Sequence, residues 1–422
     1  MKYLNVILFI IECLLIISDT YGKCGELFLT VNAVTDVLEY NWNFTINCEE
    51  IPDSLSILHK STNEVILETI NVTGKTSGYE TSNVVFRKQP LPGNWNFEDE
   101  NRTLSNVCYP FLIRSELNNK TIDSNCIKIE PTWMQNFGEL QIGNLMIPGT
   151  HDSGAWTSPY VIVPLLNKFL LTQKYDLWGQ LVSGIRYFDI RVGVYNNENP
   201  KEWINHGAFK CTRMKAEFNK IAKFLNASEK EVVILHIKSF ENPPNFTLND
   251  HQTVLNLISD VFGDYILPRT YEYVHNLTLS DIWATNKRLI ISYNNEDIVK
   301  ANDFLWYDIV HKWADTTSVE YLYNYLNSVK NNHNHTKNPF CALMAELTPD
   351  ENYIVNNLDK SLGYMANEVN HNLNVWLRKY NWSDVVNIVA TDFFLGNDAI
   401  SIAIEANERK KNYNKIIKYY LQ

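Results

Sequence analysis

The chain lacks the marks of several common protein classes. Positive charge is in short supply: 37 Lys and Arg face 48 Asp and Glu, for a net charge of −11, which argues against nucleic acid as a partner. No nucleophile elbow, zinc-protease helix motif or dinucleotide fingerprint occurs. Long hydrophobic runs are missing too. The one candidate, residues 4–17, is too short for a membrane span. Preceded by Lys2 and followed by Thr20-Tyr21-Gly22, it reads instead as a signal peptide over residues 1–22. The last residues, Lys415-Ile416-Ile417-Lys418-Tyr419-Tyr420, form no hydrophobic tail, so no lipid anchor is expected there.

What is present agrees with export. Nine Asn-x-Ser/Thr acceptors occur, at Asn43, Asn71, Asn101, Asn119, Asn226, Asn245, Asn276, Asn334 and Asn381. Beyond Cys13 in the leader stand Cys24, Cys48, Cys108, Cys126, Cys211 and Cys341, an even number suited to an oxidising compartment. Grouped by position, the first four allow three connectivities, and Cys211 is expected to pair with Cys341, with free buried cysteines as the alternative. A secreted, extracellular glycoprotein is the expectation.

With 45% hydrophobic residues and no low-complexity block, 422 residues can bury one large core and one small one. From residue 38 to 48 apolar and polar residues alternate strictly, predicting a half-buried strand with Asn43 on its wet face. Short runs at 27–34, 65–72, 83–87 and 126–129 complete a small antiparallel β-sandwich-like domain over residues 23–130, in which no chemistry is legible and whose partner is unknown. After Pro131 short apolar strands, at 145–148, 185–192, 232–237, 289–293, 341–347 and 388–393, alternate with helical patterns such as 398–420. That texture over residues 131–422 predicts an α/β fold, a TIM-type (β/α) barrel that need not be regular, with its chemistry at the carboxyl ends of the strands.

The first strand runs into Ile147-Pro148-Gly149-Thr150-His151-Asp152-Ser153-Gly154. The second ends Arg186-Tyr187-Phe188-Asp189-Ile190-Arg191, where alternation places Tyr187, Asp189 and Arg191 on one face. That pair of opposite charges is either an internal ion pair or an arginine offered to a phosphate. A second histidine follows in Asn205-His206-Gly207. Two imidazoles and a guanidinium are what cleavage of a phosphodiester by a neighbouring hydroxyl requires: a base, an acid and a cation on the non-bridging oxygens.

In order and spacing these blocks, together with residues 231–240, resemble the X-domain family of phosphatidylinositol-specific phospholipases C, including its secreted bacterial enzymes and the metazoan proteins that contain only this domain. The resemblance covers residues 131–422 and leaves the first 130 out. It implies His151 as general base toward the inositol 2-hydroxyl and His206 as the acid for the diacylglycerol oxygen. It further implies Asp152 as support for that acid and Arg191 as the charge on the phosphate. Asp392, at the end of the last strand, is expected to orient His151, although an Asp there can also cap a helix. Lys238 matches a lysine that bacterial members turn toward the inositol, or its stem simply leaves the barrel for solvent. Asp189 and Trp313 complete the expected substrate contacts, Trp313 within the Trp-rich stretch 306–315 that lines the mouth or merely packs.

In the family's calcium-dependent branch, acidic residues occupy both positions matching Asp189 and Arg191, and an Asn follows the first histidine. Arg191 and Asp152 depart from that pattern, so metal-independent cleavage, with no cofactor, is expected. The expected partner is phosphatidylinositol or a related lipid at a membrane surface, touched peripherally. His236 reads as a core histidine more than a mouth residue, and His333-Asn334-His335 as a solvated loop. The rivals are a glycerophosphodiesterase, whose paired acidic signature is not evident, and a catalytically inactive X-domain that binds lipid or glycan.

Overall fold

A computed structural model describes residues 25–45, 48–60, 64–159, 167–269, 277–330 and 340–421. The expected leader, Cys24, Asn276 and the 333–335 stretch lie outside the described residues. The chain forms two compact units, Met1–Pro90 with Cys108–Lys128, and Leu91–Val107 with Ile129–Gln422. The division is therefore not the single cut at residue 130 suggested by the change of texture: residues 91–107 leave the first unit and return. Their Trp95 is fully buried in the second unit, against Trp178 and Phe224, and its carbonyl accepts Trp178 Nε1 at 2.6 Å.

Strands β1 (Glu26–Val31), β2 (Val37–Asn43), β3 (Ser54–His59), β4 (Val65–Asn71), β5 (Ser77–Val85), β6 (Val107–Leu117) and β7 (Lys120–Ile129) build two antiparallel sheets, ordered β1-β2-β5 and β4-β3-β6-β7. Asn118 and Asn119, both at positive φ, make the two-residue turn between β6 and β7, a conformation that asparagine tolerates better than most residues. A Cys108–Cys126 disulfide joins these two strands. Cys48 is also disulfide-bonded. One expectation fails here. The polar face of β2 is not wet: Glu39 and Asn41 are buried, Glu39 accepting from Thr30 and Asn32 and Asn41 donating to Thr30. β2 is the central strand of its sheet, and its polar side chains are satisfied by their neighbours rather than by solvent.

In the second unit, strands β8 (Ile147–Thr150), β9 (Tyr187–Val194), β12 (Val233–Asn242), β13 (Leu289–Tyr293), β14 (Val310–Lys312), β15 (Cys341–Ala345) and β16 (Ile388–Thr391) are parallel. The ring runs β14-β15-β16-β8-β9-β12-β13, and a parallel bridge between Ser292 and Trp306, in the chain that continues into β14, spans the remaining seam. This is a TIM-type barrel with one irregular seam. Strands β10 (Glu202–His206) and β11 (Phe209–Arg213) form an antiparallel hairpin on the outer end of β9. Helices α1 (Leu177–Ser183), α2 (Met214–Ala227), α3 (Leu248–Phe262), α4 (Leu279–Ala284), α5 (Glu296–Ala301), α6 (Val319–Val329), α7 (Glu351–Asn356), α8 (Leu362–Lys379) and α9 (Ala399–Leu421) alternate with the strands.

Alternation divides β15 and β16 between two cores. Ile147, Tyr187, Ile234, Ile290, Ala342, Met344, Ile388 and Ala390 share a cluster with Trp133, Phe137 and Leu145, whereas Met146, Leu343, Ala345 and Val389 join Met365, Val369 and Ile402 of α8 and α9. The seam strand escapes a sequence reading because it is so short. Trp306, in the stretch expected either to line the mouth or to pack, packs in the core, its Nε1 donating to the Leu267 carbonyl at 2.8 Å. Cys211 and Cys341 do not pair: both are free, buried thiols, on β11 and β15. The alternative reading holds for them, that of small apolar core residues.

Candidate active site

Strand register brings the polar groups to one level of the barrel. Thr391 pairs with Thr150, Ala345 with Thr391, Thr150 with Phe188, Asp189 with His236, and His236 with Ser292. One residue beyond those first pairs, Glu346, Asp392, His151 and Asp189 therefore follow one another around the rim, continued by His236 and Ser292. All have the parity of the inward-facing core positions beneath them. The layer below leaves space for this. A Cβ at Gly149 would stand 2.6 Å from Tyr187 Cδ1, so only glycine lets that ring cross the barrel.

The loop after β8 is built to turn a carboxylate inward. Asp152 has φ +42, an unusual conformation for a non-glycine residue, and its N–H donates to Asp189 Oδ2 at 3.2 Å while Ser153 N–H donates to the Asp189 carbonyl at 2.8 Å. Thr150, Ser153 and Gln180 close the loop from below with hydrogen bonds of 2.7 Å.

Six of the sequence-predicted residues meet there. His151 Nδ1 lies 2.8 Å from Asp392 Oδ1, and Arg191 Nη2 lies 2.8 Å from His151 Nε2. Arg191 Nη1 is 3.3 Å from Asp152 Oδ2, which is in turn 3.5 Å from His206 Nε2. The chain of contacts thus runs His151, Arg191, Asp152, His206. Asp189 pairs with Arg191 at 3.7 Å, and the guanidinium, held between two buried carboxylates, has its pKa raised because they outweigh its desolvation. His206 stands on the β10–β11 turn. Its Nδ1 donates to the Leu170 carbonyl at 2.6 Å, fixing the ring with Nε2 toward Asp152. Asn205 braces that turn through Tyr195 and Gly207, the latter at φ +54.

Electrostatics sets the protons. Burial opposes ionisation of His151, but the carboxylates of Asp392 and Glu346 prevail and raise its pKa to about 10. Arg191 acts in the opposite sense: a guanidinium N–H at 2.8 Å needs a lone pair on Nε2, and two donors do not face each other at that distance. With Arg191 in place the ring is the neutral tautomer, its proton on Nδ1 and donated to Asp392. Burial likewise raises Asp152, whereas Asp189 is held low because Arg191 outweighs burial.

The other predicted substrate residues, Lys238 and Trp313, lie further round. Lys238 Nζ pairs with Asp308 at 3.2 Å rather than leaving for solvent. Asp308 also accepts from His236 Nε2 at 2.8 Å, and His236 is a satisfied core histidine, its Nδ1 2.8 Å from the Tyr187 hydroxyl. Trp313, 46% exposed, bonds Thr348 rather than any of these groups. Three polar members were not singled out in the sequence: Asp308, His311 and Glu346. The signal for Glu346 was there, a lone acid at an inward position of an otherwise apolar strand.

No protein-family model matches the chain. It is 24% identical over 317 residues to PI-PLC X domain-containing protein 1 of Homo sapiens, covering 68% of this chain and 94% of that protein. With PI-PLC X domain-containing protein 3 of Danio rerio it shares 26% over 306 residues, covering 65% and 92%. Among solved structures, the phosphatidylinositol-specific phospholipase C from Listeria monocytogenes superposes with a TM-score of 0.52 at 19% identity, covering 66% of this chain and 98% of that one. The resemblance to X-domain phospholipases C stands on these relatives, and the barrel fold on that structure.

Proposed function

We propose that the chain is a phosphodiesterase of the phosphatidylinositol-specific phospholipase C type, cleaving an inositol phospholipid at a membrane surface. The observation that carries the reading is the line of contacts His151, Arg191, Asp152, His206. A phosphate drawn onto Arg191 takes the guanidinium away from His151 Nε2, and the freed lone pair accepts the proton of the hydroxyl beside the phosphate. That oxygen attacks phosphorus to close a cyclic phosphodiester, and the bond to the diacylglycerol oxygen breaks as His206 Nε2 delivers a proton to it. Asp392 keeps the His151 tautomer and balances the imidazolium formed, and Asp152 does the same for His206.

Arg191 stands where a cation would otherwise be needed, bridging both carboxylates that would hold one, which supports metal-independent cleavage. Lys238 and Asp308 offer a donor and an acceptor to ring hydroxyls. Export is part of the proposal: Asn71, Asn101, Asn119, Asn226, Asn245 and Asn381 are exposed, as glycan acceptors must be. The test is purified protein with phosphatidylinositol vesicles in excess chelator, read as diacylglycerol released. Product is expected. Product that needs calcium overturns the role of Arg191, and no product from any inositol lipid, with the fold intact, overturns the enzyme.

A further inference from the structure

Four carboxyl groups, Asp152, Asp189, Asp392 and Glu346, stand in the buried rim around a single guanidinium, that of Arg191. If all four were ionised beside a neutral His151, the pocket would carry a large net negative charge in surroundings of low dielectric, and a phosphodiester, itself an anion, would be repelled. Three of the four have a cationic or N–H partner within 4 Å: Asp152 and Asp189 have Arg191, and Asp392 has His151 Nδ1. Glu346 has none. It is 2% exposed, and neither of its oxygens has a hydrogen-bond partner. A buried carboxylate without a donor is among the least stable arrangements that a side chain can adopt, whereas a carboxylic acid tolerates it.

We propose that Glu346 is a positioning residue that keeps its proton in the resting site: as the neutral acid it lets an anionic phosphodiester sit against Arg191, and once ionised it closes the site to anions. The inference rests on the phosphodiester reading of the site. The groups that act on Glu346 are His151 from β8, Asp392 from β16, and Asp189 and Arg191 from β9. Burial is the largest influence and, with the carboxylates of Asp392 and Asp189, outweighs what Arg191 and His151 do in the opposite sense, so that its pKa is raised to about 8. Ionisation then falls just above neutral pH. It has a second consequence, because a charged Glu346 raises the proton affinity of His151 and so favours the imidazolium, the form that has no lone pair with which to act as base.

The test compares the full chain with Glu346→Gln, the nearest neutral shape, from pH 7 to pH 9.5. Calorimetric binding of diethyl phosphate, a monoanion throughout that range, is expected to weaken on the order of tenfold in the wild-type chain as Glu346 ionises, and to stay level in the variant. The ratio of kcat/KM, variant over wild type, is expected to rise by a similar factor. Infrared spectra of the wild-type chain supply a measurement that needs no variant to fold: the C=O band of a buried protonated carboxyl is expected at pH 7, fading by pH 9.5, and its assignment follows where Glu346→Gln lacks it. Wild-type affinity that is flat with pH, a parallel fall in both proteins, or no fading band overturns the proposal. Absence of turnover on inositol lipids, with anion binding behaving as expected, removes the enzyme reading and leaves this one standing.

Discussion

The barrel holds two histidine clusters, and they are opposites. Around Tyr187, the hydroxyl and both nitrogens of His236 are paired. His236 Nε2 donates to Asp308, His236 Nδ1 accepts the Tyr187 hydroxyl proton at 2.8 Å, and His311 Nε2 donates to the same hydroxyl at 2.7 Å. Burial lowers the pKa of both imidazoles, and neutral rings are what this bonding pattern needs. Around Arg191, by contrast, both oxygens of Asp152, one of Asp189 and both of Glu346 lack a hydrogen bond, Asp152 holds a positive φ, and the base is capped by a guanidinium that a phosphate would draw off. A closed network contributes to the fold, and an open one under strain is built to receive something. Buried histidines alone do not mark the site; unfilled valences do.

The sharpest way to break this comparison is to remove imidazoles from each side. His151→Ala and His206→Ala are each expected to lower kcat on phosphatidylinositol by roughly 10²–10⁴, the usual worth of a proton-transfer group, about 3–5 kcal/mol in the barrier. Their melting temperatures are expected to stay close to that of the parent. His236→Ala is expected to do the reverse. It leaves the Tyr187 proton without its acceptor inside the barrel, at about 1–3 kcal/mol for a buried group stranded, and reduces Asp308 to its contact with Lys238, so denaturant unfolding should register a loss of about 2 kcal/mol while turnover falls less than in the first pair. Equal losses of activity and stability in all three would erase the distinction between the clusters.

How much of this was legible in the sequence follows from which interactions are local. The loop from Pro148 to Gly154 and the strand bearing Asp189 and Arg191 are contiguous, so residue type and alternation placed them on the rim. Asp392 was reachable because a closed barrel sets its last strand beside its first, and the register of Thr391 with Thr150 does so. Glu346 is hidden inside an apolar stretch, and only the parity it shares with the inward-facing Ala342 and Met344 marks it. His311 was out of reach because its strand is only Val310–Lys312, with no period to detect, and Asp308 precedes that strand in a stretch with no regular structure to place it. The cysteine reading failed for another reason. An even count says nothing of distance, and Cys211 lies on a hairpin appended to β9, whereas Cys341 opens β15 on the other side of β8 and β16.

The smallest effect tests whether the closed cluster is also redundant. Tyr187→Phe removes the hydroxyl that stands between the two imidazoles and leaves the ring that packs over Gly149. Two nitrogens would then be stranded, were it not that His311 Nε2 already lies 3.3 Å from His236 Nδ1, with its N–H opposite the other's lone pair. A slight closing of that gap replaces two hydrogen bonds by one, and neither ring needs to change tautomer. The expected cost is therefore about 1 kcal/mol rather than the sum for two unpaired groups, read as a small fall in the denaturant midpoint with the slope unchanged. A loss as large as that of His236→Ala would show that the hydroxyl is the keystone of the network and that the histidine pair has no geometry of its own. A negligible loss would place the whole structural contribution in the bond from His236 to Asp308.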